Sequence, residues 1–160
     1  IHTIISAISQ GLNEIYTKHE AINQFILDMV DKMENVLALL IFEQNTGLEL
    51  GSYFLDHLPL KVRKKILTLY EIAQRRILEV NMDTYEFSDR LDAFTKVSGV
   101  IQAFEIDELK FFILLVLQEH DEEVVIDQFN FFEQSYVEIY EILQNILRDD
   151  IEEQKKLGAI

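Results

Sequence analysis

The chain has 160 residues, of which 49% are hydrophobic, so it suits one domain with a substantial core and is too apolar to be largely disordered. Its net charge of −15 argues against binding to nucleic acid or to an anionic membrane surface, because proteins bind both mainly through positively charged Lys and Arg side chains. It contains no cysteine, which excludes disulfides and thiol nucleophiles and fits a reducing compartment such as the cytoplasm.

The first half of the chain shows apolar residues at steps of three and four. These steps predict a helix over residues 3–16 and a second helix over residues 20–43. Residues 36–42 are apolar on all sides, so the end of the second helix is expected to enter the core. The stretch Asn45-Thr46-Gly47 ends it, and residues 48–58 form a weaker helical segment.

The second half continues the same period. Residues 60–80 are predicted to form a helix that begins after Pro59. Asp83 and Glu86 have the spacing of a capping box, which predicts a helix over residues 83–101. Residues 111–117 are all apolar, and we expect residues 105–119 to form the central buried helix of the molecule.

The last helix is predicted from Asp121, as its N-cap, to about residue 156. Its apolar residues follow a heptad spacing for about three heptads, and the sequence becomes a polar tail from about residue 148. The predicted fold is therefore all-α: one domain over residues 1–160, formed as a bundle of six to seven helices with a long C-terminal helix.

No catalytic motif is present, and the chain is predicted not to be an enzyme. The histidines His2, His19, His57 and His120 lack the Glu-x-x-His spacing of carboxylate metal sites. Residues 85–104 contain no histidine, so no haem ligand is expected on that predicted helix. We therefore predict no metal and no haem.

Basic residues are scarce but clustered on the predicted helix over residues 60–80. Six of the fourteen lie there, namely Lys61, Arg63, Lys64, Lys65, Arg75 and Arg76. One interpretation is a solvated face that balances an acidic protein. The other is an anion site at Arg75 and Arg76, because a guanidinium group binds carboxylates and similar anions with a forked geometry.

Aromatic residues are abundant, with eleven Phe and six Tyr. Most are expected to pack in the core. The alternative is a ligand pocket with aromatic walls. The residues predicted to form such a pocket are Tyr70, Phe111, Phe112, Phe129, Phe132 and Tyr136.

The order of predicted helices and the aromatic spacing of residues 126–140 (IDQFNFFEQSYVEIY) resemble the non-haem globin-type sensor domains of bacilli. These include the N-terminal domains of stressosome scaffold proteins and plasmid-borne sensor-domain proteins that inhibit sporulation. The resemblance implies a globin-like fold, a homodimer and a regulatory role in sporulation or stress signalling. In the sporulation group it also implies a fatty acid bound in the interior beside a small anion.

Two functions follow as hypotheses. The first is a non-catalytic sensor domain that binds an apolar ligand such as a fatty acid and passes the signal to a protein partner. The second is a ligand-free acidic scaffold or anti-activator that acts through protein contacts alone. Neither requires insertion into a membrane.

Overall fold

The computed structural model describes residues 20–106, 108–119 and 122–158. It is a mixed α/β fold in which helices flank one five-stranded sheet. In chain order the elements are α1 (residues 20–31), β1 (Val36–Glu43), β2 (Glu49–Phe54), α2 (Leu60–Val80), β3 (Thr84–Arg90), β4 (Lys96–Ile106), β5 (Leu109–Gln118) and α3 (Glu122–Gly158).

The sheet has the strand order β2-β1-β5-β4-β3, and every neighbouring pair is antiparallel. The strand β5 lies in the middle, where Leu114 is opposite Leu40 of β1 on one side and Ile101 of β4 on the other. The edges are β2 and β3. Because β5 is paired on both sides and covered on both faces, an apolar side chain is favoured at nearly every position along it.

The two faces of the sheet carry separate cores. On one face, side chains such as Leu39, Ile113 and Leu115 pack with residues of α1 and α3. On the other face, Leu40, Phe112 and Leu114 pack with residues of α2. The molecule is therefore a three-layer sandwich with α2 on one side of the sheet and α1 and α3 on the other.

Helix α2 buries one stripe and exposes the rest. The buried side chains are Ile66, Leu69, Tyr70, Ala73 and Ile77, at the three- and four-residue steps expected of an amphipathic helix. Pro59 precedes the helix, and Asn81 ends it in the left-handed conformation that a C-terminal cap requires. The guanidinium group of Arg63 lies 5.2 Å from the centre of the Phe54 ring, which connects α2 to β2.

Two glycines of the sheet make room for side chains that pack directly over them. A Cβ atom on Gly51 would lie 2.6 Å from Ile22 of α1, so the missing side chain makes room for this helix. Gly99 of β4 is opposite Phe87 of β3, and the Phe87 ring covers it. A side chain at either position would displace its neighbour.

The predicted all-α, globin-like fold is wrong, although two of its helices are confirmed. The helix predicted over residues 60–80 is α2, and the last predicted helix is α3. Of the helix predicted over residues 20–43, residues 20–31 are helical, whereas Val36–Glu43 forms β1. The weaker segment at 48–58 contains β2, and the helix predicted over residues 3–16 lies outside the described residues, as does Asp121.

The predicted central helix over residues 105–119 is also wrong, because Leu109–Gln118 is strand β5. Its burial and central position were predicted, but a short, continuously apolar run has no periodicity that separates a buried strand from a buried helix. The helix predicted over residues 83–101 is replaced by β3 and much of β4. There the alternation Tyr85-Glu86-Phe87-Ser88, which is typical of a strand, was the better signal than the capping-box spacing.

Candidate protein-interaction surface

The aromatic residues predicted to line one pocket lie on both faces of the sheet. Phe111 and Phe112 are neighbours on β5, so their side chains point in opposite directions. Phe112 packs edge-on against Tyr70 on the α2 side, with ring centres 6.5 Å apart. Phe111, Phe129 and Phe132 belong to the core on the α1 and α3 side. The structure therefore separates this set into two groups, and the side chain of Tyr136 lies outside the description.

Tyr70 is one of the predicted pocket residues and has a hydroxyl group that could take part in chemistry. Burial raises the pKa of Tyr70, and the negative charge of Glu43 raises it further. Its ring stacks on Phe42, with centres 4.1 Å apart. Tyr70 therefore remains neutral at physiological pH and serves as a packing residue between α2 and the sheet.

The predicted anion-site residues Arg75 and Arg76 are both exposed on α2. Arg76 lies 4.0 Å from Glu79 one turn on, and both side chains are more than half exposed. An ion pair of this kind contributes little to stability. The two arginines, with Ile72 and Glu79, surround a surface depression, and the anion site itself stays a prediction.

The exposed surface of α2 includes several large apolar side chains. Five of the twelve large hydrophobic side chains that are exposed in the described part of the chain belong to this helix: Leu60, Leu67, Ile72, Leu78 and Val80. At 100° per residue, Leu60, Leu67 and Leu78 fall within about 20° of one line along the helix. Leu60 is 67% exposed, so this stripe lies open to solvent.

Charged residues lie beside this stripe: the exposed Glu71 is about 20° from Leu60 and Leu78 around the helix, and basic residues follow it. Lys64 and Arg75 are about 180° from the buried stripe of α2, so they point away from the sheet, and Lys61 and Lys65 lie on their other side. Among the described residues, no ion pair joins these four to an acidic group, although Glu71 and Glu79 lie one turn before and one turn after Arg75. We define the α2 outer face as the three leucines of the stripe with these four basic residues: Leu60, Leu67, Leu78, Lys61, Lys64, Lys65 and Arg75.

The charge of the chain is segregated between the two sides of the sheet. Helix α2 contains six basic and two acidic residues, whereas residues 122–146 of α3, on the opposite side, contain six acidic and no basic residues. The α2 outer face is thus a local positive surface on a chain with a net charge of −15. The clustering of the basic residues was predicted from the sequence, whereas no role was predicted for the exposed leucines Leu60, Leu67 and Leu78.

The described residues contain no group of three or more His, Asp or Glu side chains that could hold a metal ion. Nor does any helix in this part of the chain combine the length and the apolar character needed to cross a bilayer. Comparisons with protein families, with curated proteins and with solved structures found no match. The resemblance to the sensor domains of bacilli therefore stays untested, although the globin-like fold that it implied is not the fold of this chain.

Proposed function

We propose that this protein is a non-catalytic interaction module that binds an acidic, amphipathic helix of a partner protein on the α2 outer face. The observation that carries the proposal is the pairing of an exposed leucine stripe with a row of unpaired basic residues on one helix. Exposed apolar side chains grouped on a monomer's surface are typical of interaction sites.

The shape and the charge of this face favour a narrow partner. A helix lying along α2 would contact the leucine stripe and the basic residues, and the acidic side chains that it approaches would be Glu71 and Glu79 of α2 rather than the acidic remainder of the chain. An extended polyanion, such as a membrane surface or duplex DNA, would also approach those acidic regions and be repelled. The apolar stripe supplies the contact area, and the basic residues select acidic over basic partners.

This proposal follows the second hypothesis from the sequence, an interaction scaffold, with one change: the scaffold's docking surface is basic although the chain is acidic. The fatty-acid ligand, the small anion, the homodimer, the signalling pathway and the cytoplasmic location stay predictions. They do not enter the argument for the α2 outer face.

Isothermal titration with two synthetic helices tests the proposal. One helix carries leucines on one face and glutamates elsewhere, and the other replaces every glutamate with lysine. We expect the glutamate helix alone to bind. We expect Arg75→Glu to weaken that binding about tenfold, because a favourable charge contact becomes repulsive. The matched control is Lys32→Glu, which makes the same change of charge at an exposed site outside α2.

A second pair of variants tests the apolar stripe. Leu67→Ser removes an exposed leucine from the α2 outer face, and Leu27→Ser removes a similarly exposed leucine from α1, the two side chains being 39% and 46% exposed. Only Leu67→Ser is expected to weaken binding of the glutamate helix. Equal binding of the lysine helix, or equal effects of the two serine variants, would contradict the proposal.

A further inference from the structure

The strand β3 forms an open edge of the sheet on the side opposite to β4. The amide of Ala103 donates to the carbonyl of Asp83, and the amide of Leu91 donates to the carbonyl of Thr95, so the odd-numbered residues of β3 bond to β4. Hydrogen bonds along an antiparallel strand alternate between its two sides. The amides and carbonyls of Thr84, Glu86 and Ser88 therefore point outward, where no described strand pairs with them.

A groove lies beside this edge, on the α3 side of the sheet. It consists of two adjoining cavities of about 340 Å³ and 150 Å³, which share Glu86 and Phe129. Its floor is apolar, with Val100, Val125 and Phe132 nearly fully buried. The side chains of Thr84, Glu86 and Ser88 lie on the same face of β3 as the groove.

The rim of the groove is acidic. Glu86 and Glu122 lie at the larger cavity, and Glu86 and Glu133 at the smaller one. Glu119 also lies there, but Lys96 is 3.4 Å away and the Ser98 hydroxyl donates to it at 3.0 Å. With Lys96 occupied by Glu119, the groove offers negative charge to an incoming chain.

We propose that an extended peptide with alternating apolar and basic side chains binds here as a sixth strand beside β3. Its backbone would bond to the outward groups of Thr84, Glu86 and Ser88. The peptide residues opposite these three would point their side chains into the groove, at intervals of about 6.8 Å. An apolar side chain then reaches Phe129 and Val125, and a basic one meets Glu86 or Glu133.

This site is independent of the α2 outer face, because it lies on the other side of the sheet and selects the opposite charge. The net charge of −15 also favours a basic ligand at long range, since it speeds the approach of a positively charged chain. A second copy of this protein is a poorer occupant, because its own β3 would bring Glu86 and Asp89 to an edge that already carries both.

Hydrogen exchange on the whole protein gives the most specific test. The probe is a blocked peptide as long as β3, seven residues, with lysine and leucine alternating at the groove-facing positions and threonine between them. We expect binding to slow exchange of the amides of Thr84, Glu86 and Ser88. The amides of Tyr85 and Phe87 already bond to β4, so their exchange should hardly change.

Two controls separate this mode of binding from nonspecific attraction. Methylating the peptide nitrogens that face β3 should abolish binding, whereas methylating those that face away should not. Glu86→Lys should weaken binding about three- to tenfold, and Glu71→Lys, the same change on α2, should leave it unaltered.

Protection of β3 amides that rises with protein concentration in the absence of peptide would assign the edge to a second copy and overturn the proposal. Equal binding of a peptide with glutamate in place of lysine would also overturn it. A failure at this site leaves the α2 outer face untouched, because the glutamate helix and its Arg75→Glu control report on that face alone.

Discussion

Replacing Gly99 with alanine should change the stability of the protein in opposite directions, depending on whether residue 99 lies in strand β4 or in a helix. The Cβ atom of an alanine would lie 2.2 Å from Cζ of Phe87, so the ring has to retreat by about 1.2 Å to reach ordinary contact. Overpacking of this kind costs about 2 kcal/mol, or about 4–8 °C in melting temperature for a chain of this size. In a helix over residues 83–101, the same change would stabilise the protein by about 0.5–1 kcal/mol.

Urea unfolding of four proteins measures the effect: the parent chain, Gly99→Ala, Phe87→Ala and the double variant. The three atoms nearest to that Cβ all belong to the Phe87 ring, so in the absence of the ring the cost of alanine at position 99 should fall to about zero or change sign. The coupling between the two positions should then be about 1–3 kcal/mol. A stabilising Gly99→Ala substitution, or additive effects of the two substitutions, would refute the pairing of Phe87 with Gly99.

Two further substitutions test the core and a turn. Phe112→Ala should lower the free energy of unfolding by about 3–5 kcal/mol because its side chain is fully buried against Tyr70. Phe94→Ala, at a side chain that is 96% exposed, should change the free energy of unfolding by less than about 0.5 kcal/mol. Equal losses in the Phe112→Ala and Phe94→Ala variants would place Phe112 outside the core. Burial raises the pKa of Glu43, but hydrogen bonds from the Thr46 hydroxyl and from the amides of Thr46 and Asn45 outweigh burial, so this pKa lies below its usual 4.5. Because the pKa of Glu43 is lowered in the folded state, its ionised carboxylate stabilises the fold. This contribution is complete well above pH 4.5 and disappears as the pH falls through the lowered pKa. Glu43→Gln should therefore cost about 1–2 kcal/mol at pH 7 and progressively less in acid, measured by urea unfolding. Glu49→Gln, in the same hairpin, is the control, and a penalty for Glu43→Gln that is independent of pH would contradict the role of the carboxylate.

The surface helices were predictable because their periodicity is unambiguous. Helix α2 has a buried stripe at three- and four-residue steps, and its predicted bounds agree with the structure. The buried strands were not predictable in the same way, because β1 and β5 lose the alternation of a strand when both faces are covered. The edge strand β3 kept its alternation, but a capping-box spacing at Asp83 and Glu86 suggested a helix.

The two proposed surfaces differ in how far the sequence could reveal them. The basic residues of the α2 outer face come from one helix, so their clustering was visible along the chain. The groove beside β3 brings Glu86 of β3 together with Val100 of β4 and Phe129 of α3, residues that are distant in sequence. Strand pairing places them together, and no local pattern along the chain marks that pairing.

The position of β5 at the centre of the sheet is the claim on which both surfaces depend. Nuclear Overhauser contacts in isotope-labelled protein test it at Leu114, which lies opposite Leu40 on one side and Ile101 on the other. We predict backbone contacts from Leu114 to both of these residues, and weak contacts between successive amides over residues 111–117. Strong contacts between successive amides, with none from Leu114 to Leu40 or Ile101, would show a helix there and contradict the account.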